Sequence, residues 1–155
     1  GYGSLVEAVT RESVRSANIH YHPAVEPGRV LDYVGFADAG ICLIENACLS
    51  YYLSLPNKLF ECIMAGVPVI VSDFPEMRRL VEEGNCGWQI AVSEQALFNH
   101  LQAITEADLR KKRRDLNAYR KSLDWRNEET ALLRAYRCIP GSSATMATKP
   151  PTAPT

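Results

Sequence analysis

The sequence holds almost no net charge: 17 Lys and Arg stand against 18 Asp and Glu in 155 residues, a formal balance of -1. A dedicated nucleic-acid binder is normally basic overall, so that class is disfavoured. No apolar run approaches the ~20 residues of a membrane helix, and Gly1-Tyr2-Gly3 does not start a signal peptide. The five cysteines, at 42, 48, 62, 86 and 138, contain no C-x-x-C and leave an odd number. Reduced thiols in a cytoplasmic protein are therefore expected, each packed as a small buried hydrophobe. The D-x-D spacing of metal-dependent transferases is missing, and no His/Cys/carboxylate cluster has zinc spacing. A G-x-S-x-G elbow and a Walker sequence are absent too.

What is present is a globular composition, 46% hydrophobic, and a length that suits one domain with a real core. Gly1-Tyr2-Gly3-Ser4 reads as a glycine turn feeding a helix that begins near Leu5. Residues 18–22 alternate and stop at Pro23, which lacks a backbone donor, and so predict a short strand. A helix is expected from 26 to about 37. Ile41-Cys42-Leu43-Ile44 is a continuous apolar run, the pattern of a strand buried on both faces of a parallel sheet. After a polar loop, Pro56-Asn57-Lys58 opens a helix to Ala65 capped by Gly66, and 67–71 form another buried strand. A helix over 76–83 closed by Gly84, a last strand over 87–92, and helices over 94–105, 106–121 and 126–137 follow. Four alternations of strand and helix predict an α/β fold, a doubly wound, mostly parallel Rossmann-like sheet with a helical C-terminus. Residues 1–137 would form this domain, and the Pro/Thr/Ala-rich residues 138–155 a disordered tail.

Ligands in such a sheet sit beyond the carboxyl ends of the strands, where loops enter helix N-termini. The loop ending at Asn57 is the most informative. Free backbone N–H groups and Lys58 at the helix mouth attract phosphate. Glu61, one turn on, would accept hydrogen bonds from a diol such as a ribose. The competing reading is that Lys58 and Glu61 merely solvate an amphipathic helix. His20 and His22 share a strand face, where packing or loop contacts outweigh a metal pair; His22, at the strand end, would lie nearer a ligand. His100 reads as a surface or packed helical residue, and Cys62 as buried against the sheet despite its place near a helix start.

The run from Ser54 to Ile70, centred on P-N-K-x-x-E and four residues later G-x-P-V-I, resembles the donor-binding segment of retaining GT-B glycosyltransferases of the family 4 type. Asp38-Ala39-Gly40-Ile41-Cys42-Leu43, Pro75-Glu76, the stretch from Val81 to Trp88, and Leu123-Asp124-Trp125 with Tyr136 are similar to its flanking elements. The similarity covers residues 18–137. The resemblance implies the C-terminal donor half of such an enzyme, incomplete at its N-terminus. It would bind a UDP- or GDP-hexose for retaining transfer to a saccharide or lipid-linked acceptor, as in polysaccharide biosynthesis, with neither metal nor cofactor. Glu61 would hold the ribose hydroxyls, the amides near Asn57, Lys58 and Leu59 the diphosphate, and Pro23-Ala24-Val25 the base, with Gly1 to Gly3 close by.

The chain departs from the family in two ways. Leu53 stands where many members carry the first glutamate of E-x7-E, which contacts the donor sugar. Ser54 or Glu45 takes that contact over, or the chain belongs to a P-x-K variant, or sugar recognition is altered. The family's basic pair for the leaving diphosphate, and its acceptor domain, lie outside the sequence, so the chain by itself is expected to be inactive. No catalytic residue is assigned. Two alternatives share the site: a GT-B sugar-nucleotide epimerase, or a non-catalytic nucleotide-binding or interaction fragment. Charge is uneven, with 6 basic and 12 acidic residues over 1–105 but 10 and 6 over 106–137. The run Arg110-Lys111-Lys112-Arg113-Arg114 reads as a solvated helix face or as a contact for anionic headgroups on the inner face of a membrane. Nucleic acid fits it less well, since no aromatics interleave.

Overall fold

A computed structural model of the chain describes residues 3–123 and 125–138. Short apolar runs become three parallel strands, β1 (Gly40–Cys42), β2 (Val69–Ser72) and β3 (Gly87–Ile90), in the order β1-β2-β3. Gly40 stands opposite Val69, and Val69 opposite Gly87, so β2 is the central strand. All four of its residues are buried, as its unbroken Val-Ile-Val run demands.

Helices occupy the intervals. α1 spans Val6–Arg15; a 3-10 turn at Pro27–Arg29 leads into α2, Val30–Val34; α3 spans Leu49–Tyr52. α4 (Asn57–Ala65) connects β1 to β2, and α5 (Pro75–Gly84) connects β2 to β3. α6 (Glu94–Ala103) and α7 (Glu106–Tyr119) follow. The sheet advances in one direction through these three strands. Right-handed crossovers therefore place α4 and α5 on the same face. The chain divides into two compact units, residues 1–120 and 121–155. The second contains α8, Trp125–Arg137. Asp124 and the expected tail from 139 lie outside the described residues. Among the described residues, no helix is long and apolar enough to cross a membrane.

Several expectations need correction. Residues 18–22 form no strand. A strand exists through its ladder, and this segment has none: β1 pairs with β2, and Pro23 removes a donor at the segment's end. β1 is not buried on both faces: Cys42 is buried, whereas Ile41, on the opposite face, is 44% exposed, and among the described residues β1 is also an edge strand. The polar loop before α4 contains α3, too short to show a helical period, anchored by Tyr52 against Phe74 at 5.2 Å between ring centroids. Gly66 does cap α4, with φ 79°, and the Val67 N–H donates to the Cys62 carbonyl at 2.9 Å. At the end of α5, however, Asn85 takes the left-handed conformation (φ 43°), not Gly84. Gly84 stays helical, and its missing side chain makes room for the Tyr119 ring. Cys42, Cys62 and Cys86 are buried as expected, whereas Cys48 and Cys138 are exposed.

The core gathers where α4 and α5 cover β2: Leu59, Ile63, Val69, Ile70, Val71 and Met77 are fully buried. Ser72, at the end of β2, is a buried polar residue with both needs met. Its hydroxyl accepts the Ile44 N–H at 2.6 Å and donates to the Ile44 carbonyl at 2.9 Å. It thereby ties the loop that follows β1 to the centre of the sheet. Ser72→Ala leaves both Ile44 groups without their partner and is expected to lower stability by about 1–3 kcal/mol. A urea midpoint unchanged from wild type would rule out this tie.

Candidate functional site

Proline at position 56 sets the entry to α4: it stays extended (φ -73°, ψ 147°), and Asn57 begins the helix. At this mouth the Asn57 and Lys58 N–H groups have no partner among the described residues, and both side chains are exposed. The third donor is already in use, since the Leu59 N–H bonds the Pro56 carbonyl at 3.0 Å and the Leu59 side chain is fully buried. Leu59 is thus a core residue whose amide the helix itself consumes, and the anion-binding donors reduce to those of Asn57 and Lys58.

One turn further, Glu61 opens onto a cleft of about 430 Å³. Its other walls are His22, Pro23, Ala24 and Val25 from the loop before the 3-10 turn, and Val30, Tyr33 and Val34 of α2. The cleft exists because α2 packs on α4 and carries the 22–25 loop with it. The walls are apolar except at Glu61, His22 and the Tyr33 hydroxyl. Glu61 is half-buried and forms no ion pair or hydrogen bond with a described residue. Tyr33 is held on two sides: the His22 ring meets it edge-on at 4.6 Å, and the Arg29 guanidinium lies 5.5 Å from its centroid. His22 Nδ1 is 2.9 Å from the Pro23 carbonyl. The loop and packing contacts expected of His22 are therefore made, at the edge of the cleft.

The structure thus unites Ala24, Val25 and Glu61, which lie far apart in sequence. Gly3, Ser54, Asn57, Lys58 and Leu59 do not line this cleft. Asn57, Lys58 and Leu59 belong to the helix mouth next to it. Gly3 starts the turn into α1, its carbonyl accepting the Val6 N–H at 3.3 Å; Gly1 lies outside the described residues. The Ser54 hydroxyl donates to the Tyr51 carbonyl at 2.8 Å and closes α3. Sequence reasoning missed Val30, Tyr33 and Val34. Their i, i+3, i+4 spacing was a readable signal, since it marks one helix face. A second hollow, of about 360 Å³, is lined by Leu43, Glu45, Val92, Ser93, Glu94 and Leu97. Among the described residues no group of three or more His, Cys, Asp and Glu is placed to hold a metal ion.

The basic run of α7 is a solvated face at Arg110, Lys111 and Arg114, which are exposed, while Lys112 and Arg113 turn toward the body of the protein. Arg110 pairs with Glu106, Arg113 donates to the Ala37 carbonyl at 2.9 Å, and Arg114 lies 3.8 Å from Asp115. Lys112 donates to Asn85 Oδ1 at 2.6 Å, and Asn85 in turn to Asp115 at 2.6 Å. Burial lowers the Lys112 pKa in this network. Lys112 and Arg113 thus hold α7 to other segments, whereas Arg110 and Arg114 lie beside carboxylates of α7 itself at the exposed surface.

No protein-family model matches the chain, and neither a curated protein nor a solved structure matches it.

Proposed function

We propose that this chain is the donor-binding half of a GT-B glycosyltransferase of the family 4 type. It would belong to a doubly wound Rossmann-like domain that holds a UDP- or GDP-hexose. The cleft carries this reading: the loop and the carboxylate to which the family resemblance assigns base and ribose share one concave surface. Ala24, Val25, Val30 and Val34 offer an apolar wall for a base, and the Tyr33 ring a π-face at its edge. Glu61, with no internal partner among the described residues, is free to accept both hydroxyls of a ribose. The helix mouth at Asn57 and Lys58, one turn back, suits a diphosphate through two free amides, the helix dipole and one full positive charge.

In the intact enzyme the hexose would pass to a saccharide or lipid-linked acceptor with retained configuration. That step needs positive charge on the leaving diphosphate, and Lys58 with a helix dipole supplies part of it. The reading therefore calls for binding by this chain and turnover only with an acceptor domain.

Titration calorimetry with UDP and GDP tests it. One of the two is expected to bind, and Glu61→Ala to weaken that binding by at least about 1 kcal/mol, the loss of a charge-assisted hydrogen bond. If neither nucleotide binds, the reading falls. If Glu61→Ala binds as wild type does, Glu61 is not in the site.

A further inference from the structure

His100 lies where α6 meets β3, and the proposed nucleotide cleft makes no use of it. Its ring stands edge-on to that of Trp88 in β3, with 5.5 Å between centroids and 68° between planes. Its Nε2 is buried and has no hydrogen-bond partner among the described residues. The neutral ring tolerates this place, since it can carry its proton on Nδ1 and leave only a lone pair at Nε2. The cation has no such choice. It must put an N–H donor, and with it part of a positive charge, in the same dry position without an acceptor. Burial accordingly lowers the His100 pKa from its ordinary value of 6.5.

We propose that His100 is an acid-sensitive latch: protonation of its ring releases α6 from β3 and dismantles the hollow at the ends of β1 and β3. α6 is an element that one charge can move. None of its residues is fully buried and it packs on β3, so its opening costs less than global unfolding. Ser93, Glu94 and Leu97 form the α6 side of the hollow of about 360 Å³, opposite Leu43, Glu45 and Val92, so the hollow exists only while α6 is docked. The surroundings offer the cation little relief. β3 carries no titratable side chain, and α6 carries only Glu94 besides His100, at the opposite end of the helix. α7 brings Lys112, whose ammonium lies 5.6 Å from the centroid of the same Trp88 ring, so a charged His100 would share that ring with a second cation. The acids of α7 are engaged elsewhere: Glu106 with Arg110, Asp108 with Thr105, and Asp115 with Asn85. Glu82 of α5, which also packs on β3, accepts from Gln89 at 3.2 Å. Docking is therefore complete well above pH 6.5, where the ring is neutral in both states. It weakens as pH falls through that value, because the released ring takes the proton more readily than the docked one.

The test uses the full chain and two readouts between about pH 8 and pH 5.5. Magnetic resonance of the imidazole nitrogens is expected to find His100 protonated on Nδ1 when neutral, and titrating below the ordinary histidine range. Amide hydrogen exchange, corrected for its intrinsic pH dependence, is expected to show α6 opening more at the acid end. Linkage fixes the size of that rise: it is the ratio of the His100 acid dissociation constants in the docked and released states. Amides of β2 should exchange more slowly than those of α6 throughout, which marks the opening as local. With His100→Phe, which keeps a ring beside Trp88 and takes no proton, the acid response of α6 should disappear. Four results would each overturn the proposal: His100 titrating at or above 6.5, α6 opening equally at both ends of the range, α6 exchanging no faster than β2, or an undiminished acid response in His100→Phe. The wild-type readouts decide the matter even if that variant fails to fold. No nucleotide enters the readout, so the outcome is independent of the reading of the cleft.

Discussion

Gly87→Ala is expected to destabilise the protein by more than about 3 kcal/mol, a large share of the roughly 5–15 kcal/mol that holds a domain folded. A β-carbon at Gly87 would be built into the carbonyl oxygen of Val69, and would also stand 2.9 Å from Val69 Cγ2. The oxygen belongs to the backbone of the central strand, so it cannot swing aside as a side-chain tip would. Nor can β3 retreat at low cost. Val69 and Gly87 begin the β2–β3 ladder, and the Val69 N–H donates to the Cys86 carbonyl at 3.1 Å. Moving β3 outward breaks that bond and opens the buried centre of the sheet. Gly28→Ala is the matched control, because nothing lies within 4 Å of its β-carbon position. Urea unfolding followed by circular dichroism should leave Gly28→Ala near wild type and shift Gly87→Ala far below it, or leave it unfolded. Equal midpoints for the two variants would show that the strands yield.

Ile63→Ala is expected to cost about 2–5 kcal/mol, the range for emptying a buried aliphatic site whose surroundings relax incompletely. Ile63 is fully buried on the face of α4 that meets the sheet, one turn beyond Leu59 on the same side. Removing its side chain loosens the helix that carries both Lys58 and Glu61, so any nucleotide affinity should fall along with stability. Met64 is the neighbouring control: it is 38% exposed and turned away from that face, and Met64→Ala should stay within about 0.5–1 kcal/mol of wild type. If the two variants unfold at the same denaturant concentration, α4 is not seated on the core through Ile63.

The elements most legible in the sequence were those that carry their own signal. β2 announced itself by an unbroken apolar run, and α4 by proline before its first turn and a left-handed glycine after its last. Their ends are set by local sterics and by periodicity, which a single chain displays without its partners. The carboxylate at Glu61 and the free amides of Asn57 and Lys58 were readable for the same reason, since spacing within one helix is fixed at 3.6 residues per turn.

Elsewhere the outcome depended on neighbours. Residues 18–22 alternate like a strand, yet no ladder takes them up; Ile41 lies in an apolar run, yet its face of β1 is exposed. Gly84 looked like a terminator, yet the Tyr119 ring claims the space and Asn85 makes the turn. The basic run of α7 read as a solvated face or an anion contact; Arg110, Lys111 and Arg114 are exposed, but only the fold shows Lys112 reaching Asn85 and Arg113 reaching the Ala37 carbonyl. By itself, then, the sequence determined the longer helices, which run forms the central strand, and which residues stand at one helix mouth, but not the short α3. Tertiary structure alone decided that Ala24 and Val25 face Glu61 across a cleft, and that Tyr33 walls it. The reason is physical: helices and turns close bonds between near neighbours in sequence, whereas clefts and strand edges depend on packing between distant segments.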